Sequence, residues 1–545
     1  MKISLSALSG VLAVLPSVAL SATLDKRDPV PYKVQTPPLD TDWTYKVGTN
    51  PWPEHPRPLL HRDNWQSLNG IWTYESADGN PAAQALSSPP NQRQLGKEVM
   101  IPSCVESALS GIQEYPVTNM WFSRTFKVSD SWKGQNVLLN FEAVDYEATV
   151  FLNGVKVGHN VGGYFRFTLD VTKNVKYGED NTLLVFVYDP TDLEMVPIGK
   201  QTRRPSHIFY RSCSGIWQTV WLESVPQNHI TGLDVTADMD GNVAFTVHSS
   251  GKNGTGVKLN LFDKHGKQVA LSVGRSDSEV KFQLASPNIW SPSSPYLYNI
   301  TISMDGDTIS SYTAFRSIAV GDVNGIKRPL LNGKFTFLML KSLGFNTVRK
   351  HIKVEPDLFY RACDEMGLAV IQDMPSMSAD GRVPNTDEQA EFRRQLGVLI
   401  EEHRNYPSIV TWVIYNEGWA QINTPPYPEA ELTDMVRKLD PTRLIDSVTG
   451  WHDHGFGDFS DNHHYANPQC GSPFSSLPGG PYDSGRIGFQ GEFGGVGHNV
   501  SADHLWKVQK SIDEINQTYE MDENLEAYNY RTGTLFRELK EQIEM

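Results

Sequence analysis

The stretch Ile409–Trp419, IVTWVIYNEGW, decides the fold. Its run of β-branched and aromatic residues reads as a buried strand, and the run stops at Asn416-Glu417-Gly418. A second stretch, Arg486–Gly495 (RIGFQGEFGG), again ends a strand-like run on a glutamate, Glu492. A carboxyl group at the carboxyl end of a buried strand sits at the mouth of a β/α barrel. The chain between the two glutamates has room for about two to three βα units, so they are expected on different strands of one barrel.

Working outward, the grammar beyond Asn332 alternates strand and helix. Gly344–Lys350 (GFNTVRK) is followed by the helix-like Glu355–Gly367, then by Leu368–Pro375 (LAVIQDMP) and an amphipathic stretch from Asp387 to His403. After Ile409–Glu417 come a helix over Glu429–Leu439, the strand Arg443–Gly450, the segment Asp461–Tyr465 (DNHHY) and the Glu492 strand. Repeated βα units imply parallel strands with helical crossovers.

The chain upstream reads differently. Segments such as Trp121–Val128 (WFSRTFKV), Val144–Gly154 (VDYEATVFLNG) and LLVFVYD alternate at period two between Asn-Gly, Gly-Gly and Asp-Pro punctuation, which predicts a jelly-roll β-sandwich. From Pro226 the strands become regularly spaced, as in ITGLDVTADM and LYNITISM, predicting a second sandwich of immunoglobulin size. The expected fold is thus two β-sandwiches followed by a (β/α)8-type barrel. The expected boundaries are 1–22 for a signal peptide, 23–58 for a Pro-rich lead-in, 59–225 and 226–321 for the sandwiches, and 322–545 for the barrel.

Composition bounds the function. Of 545 residues, 20% are charged and 39% hydrophobic, a globular balance, and the 13 Trp include candidates for stacking on sugar rings as well as core packing. A formal net charge of −15 and a pI near 5.5 argue against nucleic acid, whose phosphates are bound by concentrated Lys and Arg. Lys2, an apolar run from Ile3 to Val18 and the small-residue stretch Ala19–Ala22 predict a secreted protein. The run is too short for a membrane span. Lys26-Arg27 is a candidate second processing point. The sequons at Asn253, Asn299, Asn499 and Asn516 fit that compartment. The four cysteines, Cys104, Cys213, Cys363 and Cys470, have no zinc-like spacing. Cys104 and Cys213 fall in one predicted β domain, so a single bridge is open and none is required.

Paired carboxylates at a barrel mouth are the minimum apparatus for cleaving a glycosidic bond, one donating a proton and the other attacking the anomeric carbon or activating water. Glu417 reads as the acid/base, beside Asn416, whose amide can bind a sugar hydroxyl, and Trp419, whose apolar bulk favours a protonated carboxyl. Glu492 reads as the nucleophile, with Gly494-Gly495 permitting close approach of substrate. Arg349 is a candidate to pair with the nucleophile, or alternatively a helix-facing salt bridge. Asp373 either binds a sugar hydroxyl or caps its loop. His463 and His464, with Tyr465, offer donors to the nucleophile or the glycone, one histidine pointing away if the segment is extended.

With those residues in place the chain resembles glycoside hydrolase family 2, the family of β-galactosidases, β-glucuronidases and β-mannosidases. The likeness is carried by the two sandwich motifs above, by Ser212–Glu223 (SCSGIWQTVWLE), by Ile289–Ile302 (IWSPSSPYLYNITI) and by the NEGW and GEFGG stretches. It implies hydrolysis with retention through a covalent glycosyl-enzyme, with Glu417 as acid/base and Glu492 as nucleophile. It also implies that Arg349 is the second-strand arginine and Tyr465 the tyrosine that hydrogen-bonds the nucleophile. A terminal β-galactoside is the default substrate, and no cofactor or obligatory metal is expected, since Asp373 is followed by Met374-Pro375 with no nearby histidine.

Two departures stand out. Asn332-Gly333-Lys334 runs through FTFLML directly into KSLGFN, so the first βα unit reads as shortened, and no eighth strand is read between Glu492 and Met545. Such a barrel must close in another way or leave unpaired edges. The rival reading is therefore a carbohydrate-binding protein whose sandwiches persist while the barrel no longer catalyses.

Overall fold

The computed structural model describes residues 28–37, 43–90, 94–205, 209–251, 253–336, 346–378, 380–464 and 482–493. The expected signal peptide, Lys26-Arg27, Tyr465, Gly494-Gly495, Asn499, Asn516 and the tract read as lacking an eighth strand lie outside these residues. So does 337–345, where the first βα unit reads as shortened.

The first sandwich packs a six-stranded sheet on a four-stranded one. Spatial order in the larger sheet is Lys97–Ile101, Gly70–Ser76, Asn119–Lys127, Asp180–Tyr188, Glu147–Leu152 and Val155–Val161. The Asn153-Gly154 turn joins the last two with both residues at positive φ, the backbone of a tight hairpin. The smaller sheet runs Trp65–Ser67, Val220–Val225, Asn136–Phe141 and Phe167–Asp170. Between them lies an apolar core that includes Trp72, Phe122, Leu139, Val185 and Val220. The lead-in is docked on this sandwich, where Val30 bridges Lys97 and the Tyr32 hydroxyl donates to the Leu109 carbonyl.

The second sandwich sets three strands, Ile230–Ala237, Asn242–Ser249 and Val280–Gln283, against four, Gln268–Arg275, Gly256–Phe262, Tyr298–Met304 and Asp307–Thr313. Val257, Leu259 and Leu261 alternate inward, as period two requires. Asn253 and Asn299 are exposed on this domain.

Buried arginines hold the parts together. Arg62 donates to Glu223 of the first sandwich at 2.8 Å and to Asp307 of the second at 2.7 Å. Arg166 reaches Asp357 of the barrel at 2.7 Å, and Arg316 donates to the Ile409 carbonyl at 2.9 Å.

All six barrel strands read from the sequence are present. Thr347–Lys350, Ala369–Asp373, Ile409–Asn416 and Leu444–Thr449 form one parallel sheet in chain order, and Phe459–His464 pairs in parallel with Ile487–Phe493 beside it. The crossovers are helices α1 (Asp357–Met366), α2 (Thr386–His403) and α3 (Pro428–Leu439). Local chemistry sets their ends: Gly367 closes α1 at φ 71°, Asn385 and Glu388 form a reciprocal cap on α2, and Pro428 opens α3. The Ile409–Asn416 strand is buried along its whole length, between helices outside and barrel interior within.

A β-hairpin, Ile318–Val323 with Ile326–Leu331, spans the sandwich-to-barrel transition read at Gly321. Its Ile318 packs with Ala369, Ile371, Val410, Val413 and Phe489, filling the barrel floor. Among the described residues no helix is long and apolar enough to cross a membrane.

Candidate active site

The strand ends converge on Arg349. Its guanidinium donates from Nη1 to Glu492 Oε1 at 3.0 Å, from Nη2 to Asp373 Oδ2 at 2.8 Å and Asn416 Oδ1 at 2.9 Å, and from Nη2 to Thr449 Oγ1 at 3.0 Å. Burial works against its charge, yet Asp373 and Glu492 together hold its pKa above the ordinary arginine value. The fork therefore fixes four strand ends in one plane of hydrogen bonds.

Glu417 sits where the backbone leaves the strand, at φ 52°, a conformation uncommon for a residue other than glycine and frequent at functional turns. Its N–H donates to the Thr449 carbonyl at 2.9 Å, which fixes the turn to the next strand. One Glu417 oxygen is 2.8 Å from His463 Nδ1, and His463 Nδ1 is 3.9 Å from Glu492 Oε2. One oxygen of each glutamate and one nitrogen of His463 lie within 4.8 Å of one another. Among the described residues this is the only His/Cys/Asp/Glu cluster with the dimensions of a metal site. Arg349 sets a fixed positive charge directly on Glu492, which disfavours a divalent ion in the same place.

Beneath this layer, Asp446 and Asp461 face each other inside the barrel. Burial pushes Asp446 up to about 7, and burial together with Asp446 pushes Asp461 well above the usual carboxylate range. Asp461 Oδ2 lies 4.0 Å from His463 Nε2. Gly491 is needed here, because a Cβ at that position would come within 2.4 Å of Asp461 Oδ2 and 3.0 Å of His463 Nε2.

The structure thus brings together Glu417, Glu492, Arg349, Asp373, Asn416 and His463. Two roles differ from expectation. Asp373 is fully buried, both its oxygens accept from Arg349 and Oδ2 also accepts from Ile352 N–H at 3.1 Å, so it holds the guanidinium beneath the mouth instead of meeting a sugar or capping the loop that follows it. His463 is fully buried and bonds Glu417, the partner glutamate, instead of the glycone or, primarily, the nucleophile. Trp419 is half-buried and stacks on Phe209 of the first sandwich with ring centres 5.6 Å apart. The Asn416 amide nitrogen has no partner among the described residues and remains available to a sugar hydroxyl.

Sequence reading missed Thr449, inside the Arg443–Gly450 strand, and His351, directly after Gly344–Lys350, whose Nε2 lies 3.4 Å from Glu492 Oε1. It also missed Lys200, which a first-sandwich loop brings to the barrel mouth, and nothing local in the sequence marks that residue.

Facing carboxylates, one held by an arginine and the other by a histidine, at the top of a β/α barrel behind two β-sandwiches define the architecture of a multidomain glycoside hydrolase. Residues 72–210 match the galactose-binding-like domain of glycosyl hydrolases family 2, residues 228–316 the family 2 sandwich, and residues 326–471 the family 2 TIM barrel. The chain belongs to glycoside hydrolase family 2. It is 27% identical over 435 residues to a putative β-glucuronidase of Formosa agariphila, covering 70% of this chain and 48% of that one. Against a β-galactosidase of Thermoanaerobacter pseudethanolicus it is 26% identical, covering 60% and 48%. The chain spans about half the length of these two relatives. Its fold is similar to that of a Lactobacillus rhamnosus β-glucuronidase, with TM-score 0.68, 22% identity and coverage of 85% and 90%.

Proposed function

We propose that the chain is a retaining exo-β-glycosidase acting through a covalent glycosyl-enzyme, with a terminal β-glucuronide as the preferred substrate. The observation that carries the reaction type is the close approach of Glu417 and Glu492, one oxygen of each within 4.8 Å of the other. That close approach favours the short separation of retaining enzymes, about 5–5.5 Å between carboxyl groups, over the roughly 6.5–9.5 Å of inverting ones.

Each step has a residue. Arg349 keeps Glu492 ionised, and the Glu492 carboxylate attacks the anomeric carbon while Glu417 passes its proton to the departing glycosidic oxygen. Glu417, now a carboxylate held by His463, then takes a proton from the water that cleaves the Glu492 ester and regenerates both groups. The Phe209–Trp419 pair offers an aromatic wall for the sugar or its leaving group.

The β-galactoside expected by default gives way to a β-glucuronide on the names of the relatives, most of which are β-glucuronidases. The non-catalytic reading loses its ground, because the full set of carboxylates, guanidinium and imidazole is assembled despite the residues outside the described strands. Secretion is proposed on the expected signal peptide and on the Cys104–Cys213 disulfide, which belongs to an oxidising compartment. The test assays purified protein on aryl β-glucuronide, β-galactoside and β-mannoside, with Glu492→Ala as control. Turnover highest on the glucuronide and lost in the variant supports the reading, and equal background for both proteins on all three substrates sinks it.

A further inference from the structure

The stretch from Ile198 to Pro205 leaves the first sandwich at the barrel mouth, and Phe209–Arg211 lies beside it. Its backbone is fastened there: Ile198 and Gly199 both donate to the Ser376 carbonyl, at 2.9 and 2.8 Å, just beyond the Asp373 strand. Gly199, at φ 69°, passes so close to the barrel that a Cβ would meet the Ile352 carbonyl at 2.6 Å. Gln201 bonds Asp145 at 3.0 Å and accepts from Cys213 N–H at 2.7 Å, and Tyr210 N–H donates to the Lys200 carbonyl at 2.8 Å. Phe209 completes the contact by stacking on Trp419.

Lys200 is thereby held in a fixed place with its side chain free to act. Its ammonium is in electrostatic reach of Glu492, Glu417, Arg349 and His351. The other cations of the mouth are committed, Arg349 to Asp373 and Glu492, and Lys350 and Lys353 to Glu355. Lys200 has only a distant approach to the Tyr210 ring, 6.0 Å from its centre, and no hydrogen bond or ion pair among the described residues. A half-buried ammonium that makes no direct ion pair among the described residues, beside a substrate site, matches a negative charge that arrives with the substrate.

We infer that Lys200, supplied by the first sandwich, is a specificity-determining residue that receives the carboxylate of an acidic sugar, a β-linked hexuronate, in the barrel site. Burial lowers its pKa from the usual lysine value, so an unpaired Lys200 gains most from an incoming anion. The first sandwich is then part of the active site and not only an accessory domain. The inference rests on the glycosidase reading above and adds the residue that selects the glycone.

The experiment compares wild type, Lys200→Gln and Lys200→Arg on 4-nitrophenyl β-D-glucuronide and 4-nitrophenyl β-D-glucoside, which share a leaving group and differ in the sugar carboxylate. The expected result is a fall of about 30-fold in the glucuronide-to-glucoside ratio of kcat/KM for Lys200→Gln, the loss typical of one charge-assisted contact, with most of the ratio restored in Lys200→Arg. A merely electrostatic role in balancing the two glutamates would lower both substrates together, and an unchanged ratio overturns the inference. Wild type active on the neutral glycoside but not the glucuronide also overturns it while leaving the glycosidase reading intact. If wild type cleaves neither, that reading fails, and calorimetry with D-glucuronate against D-glucose decides Lys200 alone: a preference lost in Lys200→Gln supports it, and equal binding by both proteins overturns it.

Discussion

The first sandwich and the barrel are built from the same kind of strand, yet their interiors differ. The sandwich encloses side chains such as Trp72, Phe122, Leu139 and Val185, while the barrel is apolar only at its floor, around Ile318, Ile371, Val413 and Phe489. Above that floor Arg349, Asp373, Asn416, Thr449, Asp446, Asp461 and His463 fill the space with polar and ionisable groups, most of them hydrogen-bonded around the Arg349 guanidinium or to Glu417. An apolar interior stabilises by area removed from water, whereas a buried ionic interior costs desolvation and persists for what it does. The contrast locates the function before any sugar is invoked.

The largest effect that could break this comparison is at the acid/base. Glu417→Ala should slow cleavage of an alkyl β-glycoside by about 10²–10⁴-fold, and should slow a 4-nitrophenyl glycoside much less, because that leaving group needs no proton. The ratio of kcat/KM on the two substrates checks it, since kcat/KM reports the step in which the leaving group departs, and equal losses in kcat/KM would remove Glu417 from the acid role.

A pair of substitutions sharpens the contrast next. Leu139→Ala in the sandwich should cost about 2–5 kcal/mol of stability, and kcat/KM measured below its unfolding transition should stay near wild type. Arg349→Met should destabilise by a comparable amount, about 3–5 kcal/mol for a broken buried ion pair, and should also remove activity from the protein that remains folded. Thermal melts beside kinetics separate the two outcomes.

How much of this was legible follows from the same division. The six barrel strands, three helices and both glutamates were readable because a buried strand ends abruptly on a polar residue, as at Tyr415-Asn416-Glu417. Arg349 was readable as a charge at a strand end, though its place among four partners was not. The Ile318 plug and Lys200 were hidden because each depends on segments far apart in the chain meeting in space, and the Asp446–Asp461 pair because it depends on two consecutive strands turning those side chains to the same interior. Asp461 stood inside the quoted DNHHY segment, but nothing there shows which carboxylate it faces.

The smallest effect concerns that pair. Asp446 is raised to about 7 by burial, so the folded protein keeps a proton that the unfolded chain releases near an aspartate's ordinary pKa of about 3.9. That contribution is full at low pH and is lost as pH rises through about 7. His403, lowered to about 4 by burial, acts in the opposite sense, its contribution growing as pH rises toward the ordinary histidine range. Comparing wild type with Asp446→Asn cancels the histidine. The variant should show a flatter fall in Tm between about pH 4 and 7, the interval in which only the folded wild type holds the proton.

The most direct measurement is covalent trapping. Protein treated with 2-deoxy-2-fluoro-β-D-glucuronyl fluoride, or with its galactosyl counterpart, is digested and its peptides are weighed by mass spectrometry. The account expects one adduct, on the peptide containing Glu492, absent when Glu492→Ala is treated alike. An adduct on any other residue, or unlabelled protein that releases the sugar with inverted configuration, contradicts it.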